Sequence, residues 1–132
     1  VDAHHIAKYN MNTRVWDPME GGLNNVVQSI YHDKITECLY IGGAFTNTFE
    51  DDMILNYIAK YDLKASKWHS LENYPSNTPY GKNESNDQCN VGLDGPCKVI
   101  SLDNKSLVIA GKFQTAGNLS VNSIARYAIE RS

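Results

Sequence analysis

The sequence predicts an all-β protein made of short antiparallel strands in repeated units. Three observations predict it. Residue patterns recur at a spacing of about 50 residues, which is long enough for one supersecondary unit. Apolar and polar residues alternate within the recurring segments, and no stretch carries the roughly 3.6-residue apolar period of an amphipathic helix.

The first strand of the unit is Ile6-Ala7-Lys8-Tyr9-Asn10, which recurs as Ile58-Ala59-Lys60-Tyr61-Asp62 and as Ile124-Ala125-Arg126-Tyr127-Ala128. A turn, Asn10-Met11-Asn12-Thr13 or Asp62-Leu63-Lys64-Ala65, returns the chain to a strand holding a tryptophan. Trp16 and Trp68 each lie ten residues after their isoleucine. A polar, glycine-rich connection follows, Glu20-Gly21-Gly22-Leu23-Asn24-Asn25, and then a strand from Val27 to Tyr31. A hairpin leads into Leu39-Tyr40-Ile41-Gly42-Gly43-Ala44-Phe45-Thr46.

These later segments recur too. Val27 to Asp33 matches Cys97 to Asp103, and Leu39 to Thr46 matches Leu107 to Gln114. The offsets run 52, 70, 68 and 66 along the chain, so one insertion after Trp68 and two short deletions account for all of them. All three changes fall in turn-like segments. The organisation expected is a repeat at 4–55, a second at 56–121 with an inserted loop at about 73–90, and the first strand of a third at 122–132.

Four antiparallel strands in about 50 residues is the blade of a β-propeller. The glycine pair Gly42-Gly43 and its counterpart Gly111 suit close backbone approach on an inner strand. Ile6, Tyr9, Trp16, Phe45, Ile58, Tyr61, Trp68, Phe113, Ile124 and Tyr127 are read as scaffold, their large faces packing between blades. About two and a half units are present, where a closed propeller takes roughly four to eight. The third unit stops two positions before its expected tryptophan. The chain is therefore expected to be incomplete without neighbouring blades or chains.

Composition narrows the function. The 132 residues carry a net charge of −3 with both signs interspersed, which gives no basic face for nucleic acid. The apolar runs are too short to span a membrane. Asn83, Asn104 and Asn118 open N-x-[ST] sequons, so an extracellular or cell-surface location with N-glycosylation is expected. Cys89 and Cys97 flank a segment with Asp-Gly and Pro turn chemistry, and a disulfide between them is expected. Cys38 lies in an apolar strand pattern and is left unpaired or intermolecular.

At the repeated residues the chain resembles kelch-like repeats of the galactose-oxidase-type propeller superfamily. The resemblance is nearest to cell-surface and secreted members whose units read Ile-Ala-x-Tyr-Asp, then Trp, then Leu-Tyr-Ile-Gly-Gly-x-Phe-Thr. It implies the propeller fold and leaves function open, because propellers host many activities. Copper-radical oxidation on this scaffold needs a cysteine-linked tyrosine with further tyrosine and histidine ligands, and no motif here matches that set. Glu50-Asp51-Asp52 lacks the interval of a calcium loop and reads as a solvated turn. No catalytic residues, metal or cofactor are expected. The reading is a non-enzymatic structural or adhesive module that assembles with further blades or copies of itself. The alternatives are a kelch-type protein-binding module using the 73–90 loop, or a propeller oxidase or glycan-active enzyme.

Overall fold

The computed structural model describes residues 3–71, 92–103, 106–117 and 119–129. The described residues are all β, with no helix. A hairpin of β1 (Lys8–Asn10) and β2 (Val15–Asp17) comes first. A four-stranded antiparallel meander follows, in the order β3 (Val27–Asp33), β4 (Cys38–Gly43), β5 (Ile58–Asp62) and β6 (Lys67–Ser70). A second meander joins β7 (Cys97–Asp103), β8 (Ser106–Gly111) and β11 (Ile124–Ala128). Between β8 and β11 a small hairpin pairs β9 (Thr115–Ala116) with β10 (Leu119–Ser120).

The four-stranded sheet takes its first two strands from one sequence unit and its last two from the next. Sheet and repeat are thus half a unit out of phase. The turns explain why the strands fold back where they do. The side-chain oxygen of Asn10 accepts from the N–H groups of Asn12 and Thr13, and that of Asp62 accepts from Lys64 and Ala65. In both turns a left-handed residue, Arg14 or Ser66, closes the loop. Asp33 works the same way between β3 and β4, accepting from Ile35 N–H and the Thr36 hydroxyl ahead of left-handed Glu37.

The second meander reproduces the hydrogen bonds of the first. Tyr57 N–H donates to the Phe45 carbonyl, as Ser123 N–H does to that of Phe113. Asn24 Oδ1 accepts from the N–H groups of Thr46 and Asn47, and Asp94 Oδ1 from those of Gln114 and Thr115. Those two N–H groups hold the Asp94 carboxyl below its ordinary range. Gly43 and Gly111 share a requirement as well. A Cβ on Gly43 would meet the Val26 carbonyl oxygen, and one on Gly111 that of Pro96.

Both faces of the four-stranded sheet contribute buried residues, in two clusters. Cys38, Tyr40 and Ile58 face the second meander, where they meet Cys97, Ile100, Leu107 and Ile109. Ile41, Ala59, Tyr61 and Trp68 face the other way, onto Met19, Leu23 and Ile6. Each large apolar side chain so buried contributes roughly 1.5–3 kcal/mol. The joint is close at two points: Ile100 N–H donates to Ser29 Oγ at 3.1 Å, and Gly42 leaves no room for a Cβ beside the Cys97 sulfur.

Candidate functional site: the open ends of the sheet stack

The sheets stack in one sense. The face of the second meander that packs on the first carries Leu107, Ile109 and Tyr127. Their counterparts Leu39, Ile41 and Tyr61 face away from the second meander, toward the N-terminal segment. Each meander thus presents one kind of face backward and a different kind forward.

That order leaves half-joints at each end. Forward, Val99 and Ile124 are exposed on the outer face of the second meander, with Ala110 between them in register. Their counterparts in the first meander are Ser29, Ile58 and Gly42, all within the joint. Backward, β1 and β2 form only half a sheet, so Ile30 is 51 % exposed whereas its counterpart Ile100 is 6 % exposed. The aromatic pair Tyr9–Trp16 lies on the same open side, ring centroids 4.8 Å apart.

A further opening lies at the edge of the second meander. In the first meander β6 brings Trp68 against Tyr61, centroids 4.7 Å apart, and Trp68 Nε1 donates to the Met19 carbonyl at 2.9 Å. The described part of the second meander has three strands, with β11 at its edge. Beside β11 is a cavity of about 200 Å³ lined by Ile58, Leu71, Leu93, Ile109, Ala125 and Tyr127 among others.

The expected scaffold residues divide accordingly. Phe45, Ile58, Tyr61, Trp68 and Phe113 are buried, while Tyr9, Trp16 and Ile124 are exposed at the ends. Asn83, Asn104, Asn118, Cys89 and the 73–90 loop lie outside the described residues. Of the expected Cys89–Cys97 link, one end is therefore undescribed. The other, Cys97, is a free and fully buried thiol, and burial pushes its pKa up to about 11. Cys38 is a free buried thiol as well.

Among the described residues no group of three or more His, Cys, Asp or Glu side chains could hold a metal ion. Nor is any helix among the described residues long and apolar enough to cross a membrane. Of the histidines, His4 stacks flat on Phe49 at 3.5 Å. No family model, curated protein or solved structure matches the chain.

Sequence reasoning missed Ile30, Val99, Leu71 and Leu93 as end or edge residues. The repeat itself held the signal: Leu71 stands where Met19 does and Leu93 where Leu23 does.

Proposed function

We propose that this chain is a non-enzymatic structural or adhesive module whose sheets are propeller-type blades of kelch-like character. It assembles head to tail with further blades, in other copies or in a longer polypeptide, outside the cell or at its surface. One observation carries the reading. The exposed faces at the two ends are the two halves of the joint that the chain already makes internally, with Ile30 uncovered on one and Val99 and Ile124 on the other. Apolar sheet faces and free strand edges favour association with a matching surface. The three sequons, Asn83, Asn104 and Asn118, support the extracellular location.

Sedimentation velocity across a wide concentration range tests the assembly. Species that grow with concentration, and that Val99→Asp abolishes without unfolding the chain, are the expected result. A strictly monomeric chain at every concentration overturns assembly between copies, and electron microscopy of the longest native form then tests assembly within one polypeptide. Treating secreted material with an endoglycosidase tests the location, since unchanged mass removes the glycoprotein part.

A further inference from the structure

We infer that Asp94–Gly95 is a site of spontaneous covalent rearrangement to isoaspartate, held off in the folded chain by the clasp on the Asp94 side chain and released when that clasp opens. The site is independent of the assembly proposed above, because it lies within the second meander and the segment leading into it.

The chemistry follows from the two residue types. Glycine puts no side chain in the path of ring closure and leaves its peptide free to turn. The main-chain nitrogen of Gly95 attacks Cγ of Asp94 and gives up its proton. The Cγ–O bond breaks and one carboxyl oxygen leaves as water, which a protonated carboxyl allows far more readily than an ionised one. The product is a five-membered succinimide. Water then adds at the main-chain carbonyl of Asp94 and breaks its bond to the Gly95 nitrogen. The chain now runs through the former side chain, and a new carboxylate stands on Cα. One water is lost and one regained, so no other reactant enters.

The fold obstructs each requirement. Asp94 Oδ1 accepts from Gln114 N–H at 2.8 Å and from Thr115 N–H at 3.1 Å, which ties the carboxyl to a distant segment of the chain. The same two N–H groups favour its ionised form, and an oxyanion is a poor leaving group. Closure also needs the Gly95 peptide to turn toward Cγ. Gly95 is buried, and a Cβ on it would meet the Lys112 carbonyl oxygen. The residues on either side are anchored: Leu93 N–H donates to the Asn56 carbonyl at 3.0 Å, and the Pro96 carbonyl accepts from Lys112 N–H at 2.9 Å. The first meander has the same clasp without the same chemistry. Asn24 Oδ1 accepts from Thr46 and Asn47, but the residue that follows is Asn25, whose side chain hinders the attack. In the second meander the change is not undone by refolding. The carboxyl that met Gln114 and Thr115 has become main chain, so the clasp cannot form again.

The test is incubation of the intact chain beside a peptide of residues 92–98, at neutral pH over several weeks, with isoaspartate at position 94 measured by digestion and electron-transfer fragmentation. Accumulation in the chain should be slower by roughly tenfold or more, because only molecules with the clasp open react. Gln114→Pro removes one of the two donors and should bring the rate toward that of the peptide. Hydrogen exchange on the aged chain gives a second readout. The Gln114 and Thr115 amides should be protected in unmodified molecules and exchange freely in modified ones. Equal rates in chain and peptide overturn the inference, as does a peptide that never rearranges. So do a folded Gln114→Pro chain that keeps the parent rate, and modified molecules in which both amides stay protected. The comparison of the unaltered chain with the peptide stands even where Gln114→Pro does not fold.

Discussion

Ile58 and Ile124 hold the same place in successive sheets, yet Ile58 is 1 % exposed and Ile124 is 58 % exposed. The difference lies in what covers them. The second meander lies over Ile58, whereas the corresponding face around Ile124 is open. Ile58→Ala is therefore expected to cost about 2–5 kcal/mol through lost burial and a residual cavity. Ile124→Ala in dilute solution should stay within about 0.5 kcal/mol of the parent chain. Urea denaturation at low concentration measures both, and equal losses would contradict the joint as described.

The two tryptophans give a parallel contrast. Trp68 is 5 % exposed and Trp16 is 53 % exposed. Trp68→Ala should cost about 3–5 kcal/mol, as expected for a buried ring in a filled core. Trp68→Phe keeps most of the apolar area but leaves the Met19 carbonyl without its indole donor, for a loss of about 1–2 kcal/mol beyond the area term. Trp16→Ala should cost little. Thermal unfolding followed at a wavelength insensitive to indole separates the three.

At Gly43 and Gly111 the constraint is space. A methyl group would meet the carbonyl oxygen of Val26 or Pro96, the residue just before the neighbouring strand, and backbone atoms cannot move aside as a flexible side chain can. Gly43→Ala and Gly111→Ala should each destabilise by about 2–4 kcal/mol. A cost at one position only would break the equivalence of the two meanders.

The buried thiol of Cys97 makes stability depend on alkali. Its ordinary value is 9.0, and removal from water raises it to about 11 in the folded chain. The folded state thus favours the neutral thiol. Its contribution is complete below pH 9 and is lost as pH rises from about 9 to about 11, where the unfolded chain ionises first. Cys97→Ala should flatten that part of the stability profile relative to the parent. At neutral pH the native thiol should resist alkylation and react once the chain is denatured.

Much of this architecture is legible in the residues themselves. The alternation in Ile58-Ala59-Lys60-Tyr61 marks a strand, and Asn10 and Asp62 mark the turns that follow it. The phase of the sheets is not legible in the same way. Whether β3 and β4 pair with strands before or after them depends on hydrogen bonds between β4 and β5, across the segment 44–57, and a repeat has the same period wherever it is cut. Burial is legible only as an average. Ile58 and Ile124 sit in nearly identical local sequence, and what separates them is the presence of a neighbouring sheet. The cavity beside β11 illustrates the same limit, since Leu71 and Leu93 become its walls only when the repeat is laid over the occupied site of Trp68.

The one-way order of the sheets has a consequence for growth. In the proposed assembly of copies a forward face meets a backward one, so no two-fold axis relates neighbours and each addition regenerates the same pair of ends. Such a chain of copies has polarity. It stops only if the rotation per copy brings the last onto the first. A copy blocked on one face alone then acts as a terminator. It joins through its sound end and halts elongation at the other, so a small fraction of Val99→Asp chains would shorten the whole population.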